Sequence, residues 1–146
     1  MSLEILPAGE SRAKSAVRVV IALAMVSVGL LHFVQPGGFV KIVPPWLPAP
    51  EALVYLSGVA EVLGGAGLLV PRVRRLAAFG LVALFVAVFP ANVYMATHDI
   101  QPFAVHVSRA AQWARLPFQA VFIAVALWLA RAPRGGQGAD ASKRAA

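Results

Sequence analysis

The chain has 146 residues, of which 60% are hydrophobic and only 13% are charged, and its mean hydropathy is +0.76. A typical soluble domain is about 45–50% apolar and about 25% charged, so this composition argues against a disordered chain and against an ordinary soluble domain. The net charge of +7 is expected to orient membrane segments rather than to bind nucleic acid.

Cysteine is absent from the sequence, which excludes disulfides, cysteine-ligated zinc and iron–sulfur clusters. The three histidines are His32, His98 and His106, and no HExxH motif surrounds them. The glycine-rich segment 64–67 lies inside an apolar stretch and lacks the lysine of a P-loop. We therefore expect no bound metal and no intrinsic cofactor.

Four stretches are apolar over about the length needed to cross roughly 30 Å of hydrocarbon. They cover residues 16–34, 52–70, 76–96 and 116–130, and the fourth, which is short, is extended by residues 112–115 to a span over 112–130. Pro117 lies near the start of the fourth stretch, where a missing backbone donor costs little. The predicted fold is all-α, a polytopic membrane protein with a bundle of four transmembrane helices over residues 16–131.

The basic residues are distributed unevenly among the segments that connect these spans. Nine lie before the first span, between the second and third, or after the fourth, and Arg18 in the first turn of the first span makes ten on this side; only Lys41, Arg109 and Arg115 lie on the other side. The positive-inside rule then predicts a multi-pass protein of the cytoplasmic membrane with both termini in the cytoplasm. The tail at 1–15 and a disordered basic tail at 132–146 would both be cytoplasmic.

The first outer connector, residues 35–51, contains five prolines and several apolar side chains between them. Such a segment is expected either to lie on the membrane surface or to fold back over the mouth of the bundle.

Glu61 is the most unusual residue of the predicted spans, because it lies tenth of the nineteen residues in the stretch 52–70. A carboxylate near the middle of the bilayer costs about 2.5 kcal/mol or more, so it should face the bundle interior. An intramembrane acid is a candidate functional residue. The alternative is an interhelical hydrogen bond that only stabilises packing.

Other polar groups occur in the outer half of the predicted bundle. Pro90 removes the hydrogen bond to the Val86 carbonyl, which either only kinks the helix or leaves that carbonyl to a neighbouring group, water or a ligand, and Asn92 follows two residues later. Arg115 is either an anchor at the headgroups or an inward counter-ion. The candidate ligand-binding residues are His32, Glu61, Asn92, Arg115 and Gln119; no catalytic residue can be assigned.

The depths of these residues differ. At about 1.5 Å per residue, Glu61 lies about 13 Å below the outer end of its span, and His32 lies about 3 Å below the end of its own. This difference favours an apolar-walled pocket open to the outer side, or a chain of polar groups and waters, over a tight cluster in which the two side chains touch.

The chain resembles the DoxX family, specifically its short bacterial membrane proteins, over roughly residues 28–129. The segments that carry the resemblance are Gly29-Leu30-Leu31-His32-Phe33, Ile42-Val43-Pro44-Pro45-Trp46-Leu47-Pro48, Ser57-Gly58-Val59-Ala60-Glu61, Leu68-Leu69-Val70-Pro71-Arg72, Phe89-Pro90-Ala91-Asn92-Val93-Tyr94-Met95 and Arg115-Leu116-Pro117-Phe118-Gln119. The resemblance implies a four-helix bundle in the cytoplasmic membrane and an association with redox complexes, since the family name comes from a subunit associated with a thiosulfate:quinone oxidoreductase. The cysteine pair of thiol-handling relatives is absent here.

Three functions follow as hypotheses. The first is a redox-associated membrane subunit, without independent catalytic activity, that binds a quinone or similar lipophile. The second is a structural or assembly subunit, and the third is a small oligomeric transporter. Expected partners are membrane lipids, a lipophilic small molecule, and either a second copy of the chain or a partner membrane subunit.

Overall fold

The computed structural model describes residues 11–131, so most of the predicted N-terminal tail and the whole predicted basic tail at 132–146 lie outside the described residues. Within that range the chain forms helices and turns without strands. The elements are α1 (Arg12–Val34), a short α2 (Pro36–Val40), α3 (Pro50–Leu69), α4 (Arg74–His98) and α5 (Arg109–Ala130). The four longer helices are long and apolar enough to span a membrane. The prediction of an all-α, multi-pass membrane protein with four transmembrane helices is confirmed.

The helices extend beyond the predicted apolar stretches. The hydroxyl of Ser11 accepts a hydrogen bond from the Lys14 amide (3.3 Å), so α1 begins at Arg12 instead of residue 16. The hydroxyl of Ser108 accepts one from the Ala111 amide (3.3 Å), and α5 begins three residues before the predicted 112. Serine N-caps satisfy the free amides of a first turn, whatever the hydropathy of that turn. The predicted spans were drawn around the apolar stretches and therefore left out residues 12–15 of α1 and 109–111 of α5.

Small residues on α3 let it pack closely against two neighbours. A Cβ atom on Gly65 would lie 2.8 Å from the Ala22 carbonyl oxygen of α1, and one on Gly64 would lie 2.6 Å from the Leu81 side chain of α4. Small side chains are what allow close approach in membranes, where apolar burial gives helices little attraction for one another. Helix α3 therefore lies between α1 and α4.

The buried apolar core occupies the half of the bundle where α1 begins, α3 turns into α4 and α5 ends, called here the terminal end. Its members come from all four long helices: Ala22, Met25, Leu68, Ala78, Leu81, Phe85, Ala126, Leu129 and Ala130. At this end the Lys14 ammonium donates to the Arg131 carbonyl oxygen at 2.6 Å. The opposite half, called the connector end, contains α2 and the loops 41–49 and 99–108 instead of a comparable core.

Candidate functional site

A cavity of about 790 Å³ lies in the connector half, between the pair α1 and α3 and the pair α4 and α5. Its walls are mostly aliphatic and aromatic side chains from all five helices and from the first connector. The five predicted residues all line it: His32, Glu61, Asn92, Arg115 and Gln119. The tertiary structure thus brings together polar groups that are up to 87 positions apart in the sequence.

His32 and Glu61 touch across the contact between α1 and α3, because Nδ1 of the imidazole lies 3.4 Å from Oε2 of the carboxyl group. The prediction from depth, which disfavoured a contact between these side chains, was wrong, because it measured each residue from the end of its own helix and these ends are not level. Phe33 stacks on Tyr55 at 5.7 Å, so α3, which begins at Pro50, extends about 6 Å beyond the end of α1 at about 1.5 Å per residue.

The directions of the two side chains account for the rest of the difference in depth between His32 and Glu61. A Cβ atom on Gly58 would lie 2.7 Å from the Cβ of His32, so the histidine is level with Gly58, less than one turn from Glu61. Each Cα–Cβ bond tilts towards the N-terminus of its helix. Because α1 and α3 are antiparallel, the two side chains tilt towards each other. A straight comparison of depths ignores this tilt.

The carboxyl group of Glu61 is buried without full hydrogen bonding. The residue is 9% exposed, and Oε2 has no hydrogen-bond partner. Nδ1 of His32 bonds the Val28 carbonyl oxygen at 2.9 Å, and because a carbonyl only accepts, that nitrogen carries a proton. Burying a polar group without a hydrogen bond is unfavourable, so the fold alone does not account for this carboxyl group.

Asn92 and Gln119 form a second polar pair, across α4 and α5. The Asn92 amide donates to Oε1 of Gln119 at 2.9 Å, and the Gln119 amide donates to the Phe85 carbonyl oxygen. That carbonyl is adjacent to the Val86 carbonyl that Pro90 was predicted to release. A glutamine from the neighbouring helix thus binds backbone in the turn preceding the proline, as expected for interrupted helices in membranes.

Arg115 stays apart from both pairs. It is exposed at the edge of the cavity, and its Nη1 lies 3.8 Å from the sulfur of Met95. Within the described range no ion pair joins it to Glu61. The inward counter-ion interpretation is therefore wrong for Glu61, and the guanidinium lies where the cavity meets the surface.

The first connector folds back over the cavity, which was one of the two predicted positions. Phe39 of α2 stacks on the His32 ring with centroids 3.7 Å apart, and Phe103 of the second connector meets Phe39 edge-on at 5.2 Å. Pro44 is fully buried and lines the cavity. Sequence reasoning missed the contacts of both phenylalanines, since aromatic residues in connecting segments carry no periodic signal that assigns them a partner.

The cavity also opens sideways between helices. Leu56 is 65% exposed, Phe118 is 59% exposed, and both line the cavity. Ala83 and Ala87 of α4 are exposed cavity-lining residues as well. These positions lie within the helices that span the membrane, so the opening faces the apolar phase.

The chemistry available in the cavity is hydrogen bonding and proton exchange in apolar surroundings. Glu61 and His32 can accept or donate protons according to their ionisation state, and the amides of Asn92 and Gln119 offer both donors and acceptors. Among residues 11–131 no group of three or more potential metal-binding side chains is present. Apolar walls with a few convergent polar groups are typical of sites for small organic molecules.

Comparison with known proteins gives one match. No curated protein and no solved structure matches the chain. Residues 21–130 match a family model described as a domain of unknown function, DUF8561. This segment runs from α1 to the last residue of α5 and includes all five cavity residues named above. Because the match covers well over half of the sequence, the chain belongs to the DUF8561 family.

Proposed function

We propose that this protein is a redox-associated subunit of a bacterial cytoplasmic membrane that binds a quinone or a similar lipophilic carbonyl compound in the cavity. In this proposal it has no independent catalytic activity, and a partner membrane subunit supplies the electrons. Both termini would face the cytoplasm, as the distribution of basic residues predicts. The resemblance to the DoxX family supports the redox association.

One observation carries the proposal: a buried carboxyl group with an unused hydrogen-bonding atom lines a cavity that opens towards lipid. The cavity of about 790 Å³ lies within the usual range of small-molecule sites, about 300–1,000 Å³. Oε2 of Glu61 has no hydrogen-bond partner in the fold. A bound hydroxyl group would donate a hydrogen bond to this oxygen, and a protonated Glu61 would donate one to a bound carbonyl oxygen.

The head group of a quinone suits these residues chemically. Its carbonyl oxygens accept hydrogen bonds, and its reduced form donates them from hydroxyl groups. Reduction of a quinone adds two electrons and two protons. His32 and Glu61, whose Nδ1 and Oε2 atoms lie 3.4 Å apart, are two groups beside the cavity that can exchange protons. Asn92 and Gln119 would supply hydrogen bonds from the opposite wall.

Quinone binding is tested with protein purified in mild detergent. Extracted lipids are examined for a co-purifying quinone, and thermal unfolding is followed as a benzoquinone with a long alkyl chain is added. We expect a saturable rise in melting temperature, because a ligand that binds only the folded state stabilises it by mass action. Absence of both signals contradicts the proposal.

The chain offers a matched control on the same helix. Glu61→Gln keeps the shape of the side chain but removes its proton exchange, whereas Glu51→Gln makes the same change at an exposed residue in the first turn of α3. We expect the first variant to reduce the thermal shift and the second to leave it unchanged. Equal rises in melting temperature for the two variants would show that Glu61 does not take part in quinone binding.

A structural or assembly subunit is the second candidate, and the two polar pairs favour it. His32 and Glu61 join α1 to α3, while Asn92 and Gln119 join α4 to α5, so the polar groups could serve packing alone. In that case Glu61→Gln would leave a redox phenotype of the cell unchanged at normal protein level. Loss of that phenotype, at normal protein level, supports the ligand-binding proposal.

A further inference from the structure

A groove between α3 and α4 leads from the cavity to the outer surface of the bundle. On α4 it is lined by Gly80, Ala83, Ala87 and Ala91, whose spacing of three to four residues puts them on one helix face. The first three are exposed, and a Cβ atom on Gly80 would meet nothing within 4 Å. This face of α4 therefore leaves open space beside Gly80, although α3 and α4 pack closely where Gly64 meets Leu81.

Two other sides of the cavity are lined by larger side chains. At the connector end, Phe39 and Pro44 cover the cavity. Between α1 and α5 the lining side chains are larger, namely Val28, Phe118 and Phe122. The smallest lining side chains are those on the α4 side of the groove between α3 and α4.

The inner end of this groove meets the buried carboxyl group. Leu56 and Ala60 line the cavity on α3, and Glu61 follows directly along the same helix. Glu61 is 9% exposed with no hydrogen bond on Oε2. A polar group at one end and a narrow apolar path at the other match an amphiphile with a compact head and a single chain.

We infer that the groove between α3 and α4 holds the aliphatic tail of the ligand, whose head lies at Glu61, and that the ligand enters from the lipid through this groove. This inference rests on the proposed function and specifies it further. A cavity of about 790 Å³ accommodates a ligand of drug size, so the long chain of a membrane quinone must extend outside it. The groove gives that chain a path at the depth of the lipid chains.

The first experiment uses the absence of cysteine in the chain. Ala87→Cys is labelled with a fluorophore that quinones quench, in detergent-purified protein. Ala120→Cys is the control, because Ala120 is exposed, does not line the cavity and lies as many residues from the start of α5 as Ala87 lies from the end of α4. We expect a benzoquinone with a decyl chain to quench the label at position 87 saturably and the label at position 120 only in proportion to concentration.

The second experiment fills the groove and compares two probes that share the benzoquinone ring, one with a decyl chain and one with a methyl group. Ala87→Trp should weaken binding of the long-chain probe by at least about tenfold and change binding of the short probe by less than about twofold. Ala120→Trp should leave both affinities unchanged, which shows that a tryptophan facing lipid does not itself disturb the protein.

The outcomes separate the tail groove from the ligand site. Equal loss of both probes in Ala87→Trp would place the head group there and overturn the inference, as would unchanged affinity for both. If wild-type protein binds neither probe, the proposed function fails, and the inference fails with it. Spontaneous disulfide-linked dimers of unlabelled Ala87→Cys in membranes would assign the groove to a second copy of the chain and overturn the inference.

Discussion

Nδ1 of His32 lies 2.9 Å from the carbonyl oxygen of Val28 and 3.4 Å from Oε2 of Glu61, so one nitrogen faces acceptors on two helices. The nitrogen carries a single proton, and the closer carbonyl receives the hydrogen bond. The carboxyl oxygen is left without one. A residue kept for packing would have its hydrogen bonds satisfied, since an unpaired buried polar atom costs about 1–3 kcal/mol.

The first prediction concerns the stability of a variant without this carboxyl group. Glu61→Met should leave the free energy of unfolding unchanged or raise it by about 1 kcal/mol, because an apolar side chain of similar size removes the desolvation cost. The same variant should lose the thermal response to quinone. Chemical unfolding in detergent measures the first quantity. Destabilisation by more than about 2 kcal/mol would instead mean that Glu61 holds α1 and α3 together.

The second prediction concerns the hydrogen bond from Asn92 to Gln119 (2.9 Å). A double-mutant cycle with Asn92→Leu and Gln119→Leu should give a coupling free energy of about 0.6–1.7 kcal/mol, the range found for interhelical hydrogen bonds in membranes. Gln119→Leu alone should cost more than Asn92→Leu alone, since it also removes the donor to the Phe85 carbonyl oxygen. Additive effects would show that the two side chains do not interact in the membrane protein.

The third prediction concerns the close approach of α1 to α3. A Cβ atom on Gly29 would lie 2.8 Å from the Gly58 carbonyl oxygen, so Gly29→Val should force the helices apart and cost about 1–3 kcal/mol. Gly80→Ala is the control, because nothing lies within 4 Å of its added methyl group. Melting temperatures in detergent measure both. An unaltered melting temperature for Gly29→Val would disprove the packing at this position.

The fourth prediction concerns the cover over the cavity. Phe39→Leu keeps an apolar side chain but loses the stacking on His32 and the edge contact with Phe103; each aromatic pair contributes about 0.5–1.5 kcal/mol. Hydrogen exchange of backbone amides in residues 36–47 should become faster. Phe89→Leu changes an exposed phenylalanine outside the cavity and should not affect that segment. Unchanged exchange in Phe39→Leu would argue against the cover.

The fifth prediction concerns orientation and again uses the cysteine-free sequence. Val105, in the second connector, is 74% exposed, and Arg72, between α3 and α4, is also exposed. A membrane-impermeant maleimide added to intact cells should label Val105→Cys, whereas Arg72→Cys should require permeabilised cells. The reverse pattern would place the basic connectors outside the cytoplasm and contradict the predicted topology.

The candidate site shows how far reasoning from the sequence extends. Glu61, Asn92 and Gln119 stand out in the sequence because polar side chains are rare and costly among apolar residues that face lipid. Their surroundings do not stand out: Phe85 contributes a backbone carbonyl to Gln119, and Phe39, which stacks on His32, belongs to the short α2 within the first connector. Contacts of that kind cannot be recognised from the residue types in the surrounding sequence.

The sequence by itself determined the four transmembrane helices, because a run of about 20 apolar residues is a local property and lipid requires the backbone within it to be helical. Only the tertiary structure decided that His32 meets Glu61 and that Phe39 covers them. That geometry depends on the register of α1 against α3. Glycines that are far apart in the chain determine this register, because they allow the two helices to approach closely. Helix register and the folding of a connector depend on two segments that pack against each other, so neither can be read from one segment alone.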